Sequence, residues 1–256
     1  TAALVLLILG APSLIYPFGR DQGEYATIAE AAMHGKVIYR DIFNVKPPAT
    51  HLVHMLALTL FGHSMQAIRL LDLLWQITTA LVLWFIAIAL GFKRRPALLV
   101  PALYIIAYYA NDFWNTAQTD GFLNLPVAIA MLAFICGERY QRHWLYALSG
   151  LAIGIAVLFK YPIGILLPLI LLLAPSSRHD GLWRVLWSLL GFALPLLLCT
   201  GGLAAQGALR TFLVSQFRYV SQYTGRGFLG NDHLSMALVI SLIPFTATVI
   251  MWLGTI

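Results

Sequence analysis

Residues 66–91 read QAIRLLDLLWQITTALVLWFIAIALG, with charge confined to Arg69 and Asp72. The apolar remainder is as long as the roughly 20 residues that an α-helix needs to cross a hydrocarbon core. Lipid leaves no water for unpaired backbone groups, so only helices or closed barrels can span it. No ten-residue alternating pattern suggests a barrel. Outward from this run, further apolar spans fall near 1–17, 96–111, 119–136, 144–160, 161–174, 185–205 and 235–256, the third and sixth of the eight being short. The expected fold is all-α, a polytopic bundle of about eight transmembrane helices.

Composition agrees. Of 256 residues 60% are hydrophobic and 10% charged, and the mean hydropathy is +0.82. Soluble domains hold about 45–50% apolar and about 25% charged residues. The net charge of +6 is therefore no argument for nucleic acid, because basic residues of membrane proteins gather in loops and near headgroups. Cys136 and Cys199 fall toward opposite ends of their helices, so no disulfide is expected. The chain opens at Thr1 inside one apolar run and stops at Ile256 inside another, which reads as a piece of a longer protein. A single domain over 1–256 is expected.

Charge density orients the bundle. The loops 92–95, 137–143 and 175–184 hold seven basic residues in 21 positions, and the other nine are spread far more thinly. Short loops dense in Lys and Arg stay in the cytoplasm. The long segments 18–65 and 206–234 are then on the outer face. The first contains two amphipathic stretches, about 21–35 and 48–62, joined by Tyr39-Arg-Asp-Ile-Phe-Asn-Val-Lys-Pro-Pro48. Such helices lie along a membrane surface, apolar face down, and the stiff Pro47-Pro48 predicts an ordered connection.

The candidate chemistry sits there. In Asp21-Gln-Gly-Glu-Tyr25 the carboxylates Asp21 and Glu24 are three apart, on one helical face. They read either as reactive acids or as a helix cap with a dipole partner. Asp120, in Thr-Asp-Gly-Phe at the outer end of the fourth span, carries the same two readings. Lys46 and Lys160 snorkel to headgroups or hold a phosphate, and Arg40 and Arg218 are weaker candidates of that kind. Arg69 and Asp72 read as a local ion pair. His51 and His54 have metal spacing without a third ligand at a fixed offset. Tyr and Trp near span ends read as interfacial belts.

Asp21-Gln-Gly-Glu-Tyr, Tyr39-Arg-Asp-Ile-Phe, Lys46-Pro-Pro, Leu60-Phe-Gly and Ala67-Ile-Arg-Leu follow one another over about fifty residues. In that order they resemble the first outer loop of the GT-C membrane glycosyltransferases. The nearest branch includes protein O-mannosyltransferases and the bacterial lipid A aminoarabinose transferase. Asp120 and Phe159-Lys-Tyr-Pro-Ile-Gly stand where that pattern has its second Asp and its Lys-x-Pro turn. The resemblance implies sugar transfer from a polyprenyl-phosphate donor, on the outer face of a bacterial inner membrane. It makes Asp21 the catalytic carboxylate, Asp120 the second acid of the cavity, and Lys46 and Lys160 the holders of lipid phosphate. Three positions depart from it. Gln22 stands where the family often has Glu. Val45 replaces an acid of the aminoarabinose branch, which argues against a metal there, and Glu24 replaces a basic residue.

Three classes of function follow. The first is a glycosyltransferase with no cofactor, whose partners are the lipid-linked donor, membrane lipids and an acceptor that the residues do not identify. The second is a non-catalytic accessory subunit of a membrane complex, favoured by the short length and by Gln22. The third is a transporter, which should show broken helices in two related halves; the sequence has no such symmetry.

Overall fold

The computed structural model describes residues 2–110, 112–173 and 178–219, whose regular structure is entirely helical. α1 (Ala2–Gly10) passes into a 3-10 turn (Ala11–Ile15) and then into α2 (Arg20–Met33). α3 (Pro48–Phe61) and α4 (Met65–Ala89) follow. α5 (Arg94–Ala97) and α6 (Leu99–Ala110) lead to α7 (Thr119–Phe122), which continues as α8 (Asn124–Tyr140). α9 (His143–Val157), a 3-10 turn (Tyr161–Ile165), α10 (Leu166–Leu173), α11 (Arg178–Ala205), α12 (Leu209–Leu213) and a π-helical turn (Val214–Tyr219) complete it.

Three helical runs among the described residues are long and apolar enough to cross a membrane: Met65–Ala89, Thr119–Tyr140 and Gly181–Ala205. The runs expected near 96–111, 144–160 and 161–174 are present as shorter helices. The expected span at 235–256, and residues 220–234 of the second outer segment, lie outside the described residues. The segment up to Ile15 and α2 form a pair bent by 88°. If the first crosses the bilayer, α2 runs along its surface.

Local chemistry places these ends. Pro48 opens α3, where its missing N–H costs nothing. Gly62, at φ +90°, closes it in a conformation that side chains avoid. Ser64 then caps α4 by accepting from the Ala67 N–H at 3.2 Å. The connection between α2 and α3 is bonded to itself. Asp41 N donates to the Val37 carbonyl and Tyr39 N to that of Ile42, both at 2.8 Å. The Asp41 carboxylate in turn takes the Val37 N–H.

The core nearest the outer segment is built from Val53, Ala57, Ile68, Leu71, Phe122 and Phe159, which join α3, α4, α7 and the end of α9. α9 and α11 meet backbone to backbone. A Cβ on Gly150 would strike the Ser188 carbonyl, and one on Gly191 the Ala147 carbonyl. Small residues allow this approach, and packing drives association where lipid is as apolar as the helix. Gly191→Val is therefore expected to cost about 1–3 kcal/mol by overpacking. Gly201→Val, which meets open space, should change little; thermal unfolding in detergent compares the two.

Two sequence expectations are corrected. Arg184, assigned to a basic loop, lies within α11 and is only 4% exposed. It pairs with Glu138 at 3.1 Å, while Tyr146 donates to the same carboxylate; one charge pair joins α8, α9 and α11. Arg69 and Asp72 form no ion pair within 4.0 Å. Arg69 donates instead to Thr116 Oγ1 at 2.7 Å and to the carbonyls of Pro17 and Phe113. Asp72 accepts from Tyr108, Tyr109 and Gln76. Apart from Gln76 on the same helix, these partners come from distant elements, which neighbouring positions in sequence could not reveal.

Candidate active site

Lys46 is fixed before its side chain does anything. Its backbone N–H donates to Asn44 Oδ1 at 2.7 Å, and its carbonyl accepts from the Tyr39 hydroxyl at 2.7 Å. Asn44, buried, donates in turn to Glu24 Oε1 at 2.5 Å. Glu24, expected as a reactive acid, thus ties α2 to the loop that carries Lys46. Pro47 and Pro48 then pass directly into α3.

The Lys46 ammonium stands 4.0 Å from Asp21 Oδ2 and lies over the Tyr25 ring, 5.7 Å from its centroid. Burial works against the charged lysine. Tyr25, Asp21 and Asp120 together outweigh it and hold the ammonium above its ordinary range. Burial likewise raises the Tyr25 phenol, with Lys46 opposing.

Asp21 does not cap α2. The helix is capped at Gly19, without a side-chain bond, and Asp21 lies in its first turn beside Arg20 at 3.3 Å. Asp120 does not cap α7 either; that position is Gln118. Lys160, in the extended residue between α9 and the following 3-10 turn, donates to Asp120 Oδ1 at 2.7 Å.

Two cavities meet at Val45 and Lys46. One, of about 210 Å³, is lined by Lys46, Pro47, Thr119, Asp120, Phe159, Lys160, Tyr161 and Gln216 among others. The other, of about 370 Å³, is lined by Arg20, Asp21, Glu24, Phe43, Asn44 and Tyr219 on its far side. Asp21 and Asp120 therefore open into adjoining spaces, with the Lys46 ammonium between them. Asp21 and Asp120 lie in the first turns of α2 and α7, Lys160 just before a 3-10 turn, and Lys46 in the loop before α3.

Arg40 stands apart from this cluster. It pairs with Asp41 at 2.9 Å and donates to the Gln206 carbonyl. That pair, with the Val37 N–H, pulls the Asp41 carboxyl down to about 2. Arg218 is exposed in the π-helical turn, and lines neither cavity. His51 and His54 are fully buried. Burial first, then His54 and Lys46 acting on His51 and Arg69 acting on His54, keeps them neutral, at about 3 and about 4. Among the described residues no group of three or more His, Cys, Asp or Glu is placed to hold a metal ion.

Sequence reasoning missed Asn44, Tyr25, Thr119 and Gln216. The first was within the quoted linker and the second within the Asp21 motif. Thr119 was within the quoted Asp120 motif, and nothing local distinguishes Gln216.

The chain matches the family described as dolichyl-phosphate-mannose-protein mannosyltransferase over residues 45–204. The match contains Lys46, Asp120 and Lys160 and begins after Asp21. A curated relative from Pectobacterium carotovorum subsp. carotovorum (strain PC1) is an undecaprenyl phosphate-alpha-4-amino-4-deoxy-L-arabinose arabinosyl transferase. It is 26% identical over 197 residues, covering 71% of this chain and 35% of the relative. The transferase of the same description from Edwardsiella ictaluri (strain 93-146) is 27% identical over 146 residues, 56% of this chain and 26% of the relative. The chain thus spans about a third or less of the length of these relatives. No solved structure matches it. With more than half of its length inside the family match, and with three membrane-length apolar helices among the described residues, the chain belongs to the dolichyl-phosphate-mannose-protein mannosyltransferase family, within the GT-C membrane glycosyltransferases.

Proposed function

We propose that this chain carries the donor site of a glycosyltransferase that moves a sugar from a polyprenyl-phosphate carrier to an acceptor outside the cytoplasm. The observation that carries the reading is the Lys46 ammonium, 4.0 Å from Asp21 and facing a second cavity that holds Asp120 and Lys160. Both curated relatives are named for an undecaprenyl-phosphate-linked sugar, which supports a donor of that class.

In this reading Asp21 takes the proton from the acceptor nucleophile as it attacks the anomeric carbon. The bond from that carbon to the phosphate oxygen breaks, and the phosphate leaves with the electron pair. Lys46 and Lys160 hold the phosphate and meet the charge that develops on it. Asp120 keeps Lys160 in place until the donor arrives. Charged partners beside an apolar surface let the lipid tail stay in the membrane while its head reacts.

The accessory-subunit reading drew on the short length and on Gln22, and the second support weakens because the Gln22 side chain donates to the carbonyls of Phe113, Trp114 and Thr116. The test is turnover of a radiolabelled polyprenyl-phosphate sugar by the full-length protein in detergent. Label should leave the lipid only when the protein is present. Label that stays on every donor tried, mannosyl and aminoarabinosyl included, would overturn the proposal.

A further inference from the structure

Gln22 is wholly buried beside Asp21 on α2. Its side-chain nitrogen faces three backbone carbonyls, those of Phe113 at 3.0 Å, Trp114 at 3.1 Å and Thr116 at 2.8 Å. A carboxamide suits that place because its nitrogen offers two hydrogens. An oxygen turned the same way would confront three oxygens. The loop is gripped a second time by Arg69, which reaches Phe113 and Thr116 from α4. Four residues beyond Thr116 comes Asp120. Its turn is held in place by Gln76, donating to the Gly121 carbonyl at 3.2 Å, and by Trp75, donating to that of Phe122 at 2.9 Å. A stiff path thus runs from Asp21 through Gln22 and the 113–116 backbone to Asp120. Gln22 lines neither cavity.

We propose that Gln22 is a positioning residue, which sets the Asp21 carboxylate against Asp120 by binding the carbonyls of residues 113–116. The inference rests on the functional reading above, in which those two acids serve one site. Two substitutions probe it differently. Gln22→Met keeps length and removes every donor. Gln22→Glu keeps shape, and when protonated it still donates one hydrogen bond. When ionised it only accepts, and it then faces three carbonyl oxygens. Burial and those oxygens disfavour its charged form and raise its pKa, so the lesion should appear as pH rises.

The experiment uses the full-length enzyme in detergent, with donor-dependent rates from pH 5 to 8 and amide exchange followed by mass spectrometry. Gln22→Met should lower kcat by about tenfold or more, since small misplacements at a reacting centre cost up to about 10²-fold. Donor KM should stay within about twofold, because Gln22 does not touch the phosphate site. Gln22→Glu should track wild type at pH 5 and fall away toward pH 8. In both variants the amides of 113–119 should exchange faster. A Gln22→Glu profile parallel to wild type, unchanged exchange at 113–119, or a loss confined to donor KM would each overturn the proposal. If Gln22→Met does not fold, the pH dependence of Gln22→Glu decides. If wild type itself transfers nothing, the functional reading falls, while the exchange comparison still decides whether Gln22 holds the loop.

Discussion

Asp21→Asn is expected to reduce sugar transfer by about 10²–10⁴-fold, the usual loss with a general base, while donor binding stays near wild type. Asn keeps the size of Asp but cannot take a proton. The substitution also isolates chemistry from stability. Asp21 is in the first turn of α2 and not at its cap, which is Gly19. Loss of its charge beside the helix N-terminus should therefore cost only about 0.3–1 kcal/mol, a change that thermal unfolding measures separately. Radiolabelled donor turnover and direct lipid titration on the same preparation read the two effects. An Asp21→Asn protein that folds and transfers sugar at near wild-type rate removes Asp21 from the mechanism.

Lys46→Ala should act first on binding. A hydrogen bond to a charged group contributes about 1.5–3 kcal/mol, so donor affinity should fall by about 10- to 150-fold. The rate should fall as well, because the same ammonium meets the phosphate in both ground and transition states. Its neighbours hold the lysine charged above its ordinary range, so its contribution to binding should be flat from pH 6 to 9 and be lost only at higher pH. Unchanged affinity of the alanine variant in a lipid titration would leave the phosphate to Lys160 alone.

The architecture of this face was legible because its signals are local. Amphipathic periodicity placed α2 and α3 within a few residues of 20–33 and 48–61. Pro47-Pro48 marked the start of α3 by the backbone that it demands. Lys46 stood out because Pro47-Pro48 leaves the preceding backbone little freedom.

What stayed hidden depends on partners far away in the chain. Glu24 looked like a second acid, but Asn44, twenty residues on, engages its carboxylate. Arg69 and Asp72 looked like a pair because they lie three apart, yet apart from Gln76, four residues beyond Asp72, their partners are 36 or more residues downstream, or 52 upstream in the case of Pro17. Gln22 looked like a lost acid until the three carbonyls around it were placed. Hydropathy located the runs at 96–111 and 144–160, where the helices cover Arg94–Ala97, Leu99–Ala110 and His143–Val157.

The right angle between the opening segment and α2 has a consequence for how reactants find one another. If the opening segment crosses the bilayer, α2 lies flat and keeps Asp21 at a single height, the height at which the head of the proposed lipid-linked donor would travel. Search is then confined to two dimensions, and the bilayer itself aligns donor and base along the third before either touches the other.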